Sequence, residues 1–156
     1  MNHQAYLQQA VQLALDNSAE GQGGPFGALI VKGDQVLSTG VNQVTALADP
    51  TAHAEIMAIR AACQRLGSFQ LTDCVLYSSC EPCPMCLGAI YWARLKAVYF
   101  ACSRDDAAAA QFDDSFIYQE INQPASQRHI PMQHLAIANA CQPFLQWQAL
   151  SNKRCY

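Results

Sequence analysis

Residues 73–102 read DCVLYSSCEPCPMCLGAIYWARLKAVYFAC, and this stretch decides the fold. It begins with an apolar strand pattern at residues 73–78 and ends with another at residues 96–101. Between them, residues 82–93 follow a helical pattern whose prolines lie in the first turn, where a helix misses no N–H donor. A strand, a helix and a strand in this order usually form a parallel crossover within one sheet, so we predict that unit here.

The segments on either side add a hairpin, further helices and one more strand. Before the crossover we predict helices at residues 4–18 and 52–66 and two antiparallel strands at residues 26–31 and 35–41. After it we predict a long crossing at residues 103–129 with a short helix near residues 115–120, a strand at 130–137 and a helix at 141–150. These elements predict an α/β fold, a three-layer α/β/α sandwich whose mixed sheet has about five strands and helices on both faces.

The composition indicates one globular domain, spanning residues 1–156, with a thinly charged surface. Hydrophobic residues make up 51% of the chain, which argues against disorder, and charged residues make up only 13%. Nine Lys and Arg against twelve Asp and Glu give a net charge of −3, which argues against a nucleic-acid partner because phosphate binding needs clustered cations. No apolar run approaches the roughly 20 residues that span a bilayer. We expect no signal peptide, and therefore a cytoplasmic protein with reduced cysteines.

Two short fragments carry residues that bind transition metals. PTAHAE, residues 50–55, contains His53, and CEPCPMC, residues 80–86, contains Cys83 and Cys86. Zinc takes imidazole nitrogen and thiolate sulfur in tetrahedral geometry, and three protein ligands leave the fourth position for water, as in catalytic sites. The two cysteines are three positions apart near a helix N-terminus, so both sulfurs can face one point and the thiolate form is favoured. We predict that these three residues bind one Zn²⁺ per subunit.

Glu55 lies two positions after His53 and is not needed as a ligand. Together the fragments read H-x-E and P-C-x-x-C, the signature of zinc-dependent nucleobase deaminases. In that chemistry the glutamate takes a proton from the zinc-activated water and delivers it to a ring nitrogen and the leaving amine. The alternative is a closed structural zinc site with Cys80 as the fourth ligand, in which Glu55 would have no purpose.

The chain resembles the short bacterial guanine deaminases of the cytidine deaminase-like superfamily. The resemblance extends over essentially the whole chain and rests on these motifs: GPFGA at 24–28, DPTAHAE at 49–55, CEPCPMC at 80–86, GAIYWAR at 88–94, FDDSFIY at 112–118 and the terminal Tyr156. Several kinds of deaminase share the zinc motifs. The segment at residues 112–118 and Tyr156 are therefore the more specific part of the resemblance.

This resemblance implies hydrolysis of guanine to xanthine and ammonia, a step of purine catabolism in which activated water attacks C2. It implies that Glu55 protonates N3 and then the departing amino group, and that Asp114 contacts the guanine amino edge and helps to move protons. It assigns substrate binding to Phe26, Asn42, Ala54, Trp92, Asp114 and Tyr156, with Tyr156 closing over the base. It also implies a homodimer whose C-terminal segment is exchanged with the partner subunit.

Several of these residues have structural alternatives. The Asn42 amide can both donate and accept towards guanine, but it follows a strand and could be a turn residue. Asp113 or Asp114 could cap the next helix, and side-chain chemistry alone does not choose between them. The remaining three could be core or chain-end residues: Phe26, Trp92 and Tyr156.

Three other functions also fit the zinc motif. A tRNA adenosine deaminase shares the zinc fragments, but it needs a basic face that a net charge of −3 does not favour. A deaminase of another small aminated base or of an aminotriazine would use the same chemistry in a different pocket. A zinc-stabilised binding module would use no catalytic glutamate, so ammonia release distinguishes it from the enzymes.

Overall fold

The structure is a computed structural model that describes residues 2–156. Its strands are β1 (Gly27–Lys32), β2 (Gln35–Val41), β3 (Cys74–Cys80) and β4 (Ala97–Cys102), arranged in the order β2-β1-β3-β4. Strand β1 pairs antiparallel with both β2 and β3, whereas β3 pairs parallel with β4. The predicted hairpin, the parallel crossover and the mixed sheet are therefore confirmed.

Seven α-helices lie in the described part of the chain. They are α1 (His3–Ala19), α2 (Val44–Leu47), α3 (Ala54–Leu66), α4 (Pro84–Trp92), α5 (Arg104–Ala109), α6 (Ser115–Ile121) and α7 (Gln142–Ala149), and a 3₁₀ turn forms at Ala125–Gln127. The helices predicted at residues 4–18, 52–66 and 82–93 correspond to α1, α3 and α4. Two short helices were not predicted, namely α2 and α5. Among residues 2–156, none of these helices is long and apolar enough to cross a bilayer.

The number of strands corrects the prediction of about five. Residues 130–137, predicted as the last strand, form no strand, and the described chain contains one four-stranded sheet. Their alternating apolar residues favour extended backbone, but a strand also needs a neighbour that pairs with its N–H and C=O groups. Pro131 offers no N–H, and Ile130 and Leu135 are about three-quarters exposed.

Helices cover both faces of the sheet. Buried side chains that alternate along β1 and β3 form one cluster with α1: Ala10, Leu29, Val31, Val75 and Tyr77. The intervening residues face the other way and pack with α3 and α4, and this cluster includes Ala28, Ile30, Ala58, Leu76 and Ile90. Burying each Val, Leu or Ile stabilises the fold by roughly 1.5–3 kcal/mol. The three-layer arrangement therefore holds α3 and α4 on the same face.

The chain divides into two compact units, with the boundary between Asp114 and Ser115. The unit that precedes the boundary contains the sheet and helices α1 to α5, and every residue predicted to bind zinc belongs to it. The unit at residues 115–156 contains α6, the 3₁₀ turn and α7. A single deaminase domain over residues 1–156 stays a prediction.

Strand β2 passes directly beneath the first turn of α3. A Cβ atom on Gly40 would lie 2.2 Å from the carbonyl oxygen of Ala54 and 2.5 Å from the backbone nitrogen of Ala58. Only glycine fits at a distance this short, so the close approach depends on the missing side chain. Gln43, just after β2, donates its N–H to the carbonyl oxygen of Ala52 at 2.9 Å. The start of α3 is thus fixed against the end of β2.

Candidate active site

Two helix N-termini form the candidate site. His53 is the residue that immediately precedes α3, and Cys83 immediately precedes α4, both with extended backbone. At neither position does the side chain make the hydrogen bond that usually caps a helix. Cys86 lies in the first turn of α4 and is fully buried. Each side chain is therefore available for another partner.

The predicted metal ligands lie together. The Nδ1 atom of His53 is 3.5 Å from the Sγ atom of Cys83 and 3.5 Å from the Sγ atom of Cys86. All the ligand atoms of these residues lie within 4.8 Å of one another. Tetrahedral zinc with Zn–S near 2.3 Å and Zn–N near 2.0–2.1 Å requires an N···S separation of about 3.5 Å. The three side chains therefore fit zinc.

The electrostatics of the cluster favour a thiolate. A hydrogen bond from Cys86 lowers the pKa of the Cys83 thiol to about 4, and the same contact raises the pKa of Cys86. The hydrogen bond with Cys83 raises the pKa of His53. One sulfur of the pair is thus already ionised near neutral pH, which is the form that binds zinc.

Cys80 does not join this cluster. Its thiol donates to the carbonyl oxygen of Ser103 at 3.4 Å, and burial raises its pKa to about 11. Within residues 2–156, the groups close enough to share one ion are His53, Cys83 and Cys86 alone. Three protein ligands match an open catalytic site rather than a closed structural one.

Glu55 lies beside the ligands and is only 6% exposed. Burial raises the pKa of its carboxyl, and the charge of Cys83 raises it further. Its side chain also interacts with the thiol of Cys86. A buried carboxyl with a raised pKa holds a proton readily, which suits a group that carries protons during a reaction.

Two more of the predicted residues lie in the same unit. Asp114 is half-buried, and its pKa is raised by burial and by the charge of Cys83, so the carboxylate is within electrostatic range of the metal ligands. Ala54 is fully buried at the start of α3, between His53 and Glu55. Their roles towards a substrate stay predictions.

Phe26 takes the core position that its sequence left open, and substrate binding by its ring stays a prediction. It is half-buried and packs against the cluster formed with α3 and α4. Its ring meets Phe112 edge to face, with centroids 5.0 Å apart and an interplanar angle of 87°. Both rings also line an apolar cavity of about 220 Å³ that none of the zinc-ligating residues lines.

Asn42 is buried, and its Oδ1 atom accepts hydrogen bonds from the backbone N–H groups of Gly24 and Val44. Sequence reasoning missed Asn17, which contacts Asn42 in the fold. Its side chain donates to the carbonyl oxygens of Gly24 and Asn42. The available signal was an asparagine near the end of a helix, where it is a poor helix former and prefers backbone partners.

Trp92 and Tyr156 are the two predicted residues whose side chains are largely exposed. Trp92 is the last residue of α4, about 9 Å along the helix axis from Cys86, and its side chain is 65% exposed. Tyr156 belongs to the unit at residues 115–156, and it is 72% exposed. Substrate binding by either residue stays a prediction.

Comparison with known proteins agrees with this geometry. A family model described as "Cytidine and deoxycytidylate deaminase zinc-binding region" matches residues 1–102. The chain is 55% identical to guanine deaminase from Bacillus subtilis (strain 168), over 156 residues and the full length of both chains. The X-ray structure of guanine deaminase from Bacillus subtilis matches with a TM-score of 0.98 and covers 100% of this chain and 99% of that one. The tRNA-specific adenosine deaminase of Aquifex aeolicus is 47% identical over 77 residues, 49% of this chain and 51% of that protein.

Proposed function

We propose that this chain, which belongs to the cytidine and deoxycytidylate deaminase zinc-binding family, catalyses the hydrolysis of guanine to xanthine and ammonia. The proposal rests on the metal site and the sequence similarity taken together. A three-ligand zinc site with a buried glutamate lies in a chain that is 55% identical, from end to end, to a guanine deaminase.

The chemistry follows from the side chains around the metal site. Zn²⁺ held by His53, Cys83 and Cys86 supplies Lewis-acid chemistry, because coordination lowers the pKa of water to about 7. Glu55 would accept the proton that the attacking water loses and deliver it to N3 of guanine, where it stays in xanthine. Glu55 would then take the second proton from the new hydroxyl group on C2, which becomes a carbonyl, and deliver it to the departing amino group. A C–O bond forms at C2, the C–N bond to the amino group breaks, and the nitrogen leaves as ammonia. Atoms and charge balance with one water consumed.

Guanine also matches the polar groups predicted to recognise it. Its O6 atom is an acceptor, and Asn42 has an amide that can donate; its N1 and N2 groups are donors, and the ionised Asp114 can only accept. The Phe26 ring is suited to stack on the flat base. The further contacts that we propose are those of Ala54, Trp92 and a closing Tyr156.

The alternative functions have less support. The charge of −3 does not favour a tRNA substrate, and the tRNA deaminase of Aquifex aeolicus aligns with only about half of the chain. A non-catalytic zinc module would not need Glu55 buried against the ligands, where the carboxylate carries a desolvation cost.

We further propose a cytoplasmic homodimer that acts in purine catabolism and exchanges its C-terminal segment with the partner subunit. Large apolar side chains at residues 130–150 are exposed in the single chain, and they include Ile130, Leu135, Phe144 and Leu145. Exposed apolar surface on this scale is typical of a segment that another chain covers.

The decisive experiment presents several substrates to the purified, zinc-loaded protein. Guanine, guanosine, adenine, cytosine and a tRNA are incubated separately, and ammonia and xanthine are measured. We expect ammonia and xanthine from guanine in equal amounts. Inosine formed in the tRNA, with no xanthine from guanine, would instead identify a tRNA deaminase.

A further inference from the structure

Two buried asparagines connect helix α1 to the end of strand β2. Asn17, which is 5% exposed, donates from Nδ2 to the carbonyl oxygen of Gly24 at 2.9 Å and to that of Asn42 at 3.0 Å. Carbonyl oxygens only accept hydrogen bonds, so the orientation of the Asn17 amide is unambiguous. Both hydrogens of this one amide are therefore used to hold two backbone segments together.

Asn42, which is 8% exposed, is fixed in the complementary way. Its Oδ1 atom accepts from the N–H of Gly24 at 3.3 Å and from the N–H of Val44 at 3.2 Å. Backbone N–H groups only donate, so the oxygen must face them and the Nδ2 group must point elsewhere. Within residues 2–156 no side chain or backbone group accepts from this Nδ2, and no fully enclosed polar atom lacks a partner, so Nδ2 keeps some exposure to solvent.

The loop between these asparagines leaves little room for movement. A Cβ atom on Gly23 would lie 2.1 Å from the carbonyl oxygen of Asn42, so the two peptides are in direct contact. The Gly24 peptide is held from both sides, its oxygen by Asn17 and its N–H by Asn42. Asn42 also donates its own N–H to the carbonyl oxygen of Phe26 at 3.1 Å.

We propose that Asn17 is a positioning residue that makes Asn42 a hydrogen-bond donor towards the substrate, and thereby selects purines with oxygen rather than an amino group at position 6. The proposal rests on the proposed function. The Oδ1 atom of Asn42 is committed to Gly24 and Val44, so the amide presents Nδ2 alone, although a side-chain amide in general can donate or accept.

The selection follows from hydrogen-bond polarity. Guanine offers O6, an acceptor, to the Nδ2 donor, whereas 2,6-diaminopurine offers an amino group, and two donors facing each other leave both without a partner. Without Asn17, the carbonyl oxygens of Gly24 and Asn42 lose their buried donor and the Gly24 peptide can tilt. The N–H of Val44 is then the one firm donor left to the Oδ1 atom of Asn42, so the amide is held more loosely and can turn over to accept from an amino group.

The test uses Asn17→Asp, which keeps the shape but has no donor, and Asn17→Ala, which removes the amide. For each variant we measure kcat and KM for guanine, the inhibition constant of 2,6-diaminopurine, zinc content and Tm. We expect KM for guanine to rise about tenfold with kcat changed less than about threefold, because the contact to O6 is present in both ground and transition states. We expect the preference for guanine over 2,6-diaminopurine to fall about tenfold.

Val75→Ala is the matched control, because it removes buried volume from the cluster formed with α1, at a residue that takes no part in the asparagine network. It should lower Tm and leave the preference unchanged. The proposal is overturned if Asn17→Ala keeps the wild-type preference for guanine over 2,6-diaminopurine. It is also overturned if Val75→Ala lowers that preference equally. Both outcomes can be read even if Asn17→Asp does not fold. A wild-type enzyme that releases no ammonia from guanine overturns the proposed function itself.

Discussion

The Nδ1 atom of His53 lies 3.5 Å from the Sγ atom of Cys83, although 30 positions separate the two residues. Each residue precedes a helix, α3 for His53 and α4 for Cys83. Packing of these helices on one face of the sheet brings the two N-termini together. The catalytic centre is therefore produced by the same contacts that build the core.

Replacement of a metal ligand should abolish zinc binding. In Cys83→Ser the thiolate with the lowered pKa is lost, and we expect zinc affinity to fall at least about 100-fold, since ligand sets of this kind depend on thiolate donors. Zinc content after dialysis against a graded chelator measures the effect. Cys63→Ser is the control, because Cys63 lies on α3 outside the cluster. Equal zinc content in the two variants would contradict the assignment.

Glu55→Gln should separate catalysis from metal binding. The amide keeps the shape of the side chain but cannot carry the proton, so we expect kcat for guanine to fall by roughly 10²–10⁴ with one zinc per chain retained. Glu81→Gln is the control, because Glu81 lies in the short segment between β3 and α4. Its carboxylate accepts the N–H of Arg104, and an amide oxygen can do the same. Full turnover in Glu55→Gln would show that another group moves the proton.

Replacement of Asp114 should lower activity towards guanine far more than replacement of its neighbour Asp113. Asp114 interacts with the charge of Cys83, and we expect Asp114→Asn to lower kcat/KM for guanine about 10- to 100-fold. For Asp113→Asn we expect a change below about threefold, with kcat/KM measured under identical conditions. If the larger loss occurs in Asp113→Asn, the second carboxylate has been assigned to the wrong residue.

Gly40→Ala should destabilise the protein. The added methyl group would lie 2.2 Å from the carbonyl oxygen of Ala54, so α3 must move away from β2, and we expect the free energy of unfolding to fall by about 2 kcal/mol or more. Urea unfolding measures it. Gly88→Ala, in α4 with nothing within 4 Å of its Cβ position, should instead raise the free energy by roughly 0.5–1 kcal/mol. A neutral Gly40→Ala would mean that the helix start adapts easily.

Local patterns were sufficient to predict the parallel crossover and the three zinc ligands. The ligand spacing in residues 80–86 and the apolar runs on either side are encoded within a single stretch of chain. Helix α5 was missed although its signal was present: Ser103 and Asp106 form a capping box, but the alanine run that follows resembled low complexity.

Features that depend on partners distant in the sequence were harder to predict. The alternation at residues 130–137 predicted a strand, but pairing requires a neighbour that the alternation does not specify. The donor-only presentation of Asn42 likewise depends on Gly24, 18 positions away, and on Asn17 in another element. The role of such a residue can be recognised only when the backbone groups that bind its side chain are known.

Because His53 and Cys83 occupy helix-capping positions without capping, the enzyme has a built-in conflict between stability and activity. Serine, aspartate or asparagine at either position would satisfy a backbone N–H and add about 1 kcal/mol to the helix. The same replacement would remove a metal ligand. Thermostabilising changes chosen by helix-capping rules would therefore select inactive proteins at these two positions, and engineering for stability has to begin elsewhere in the fold.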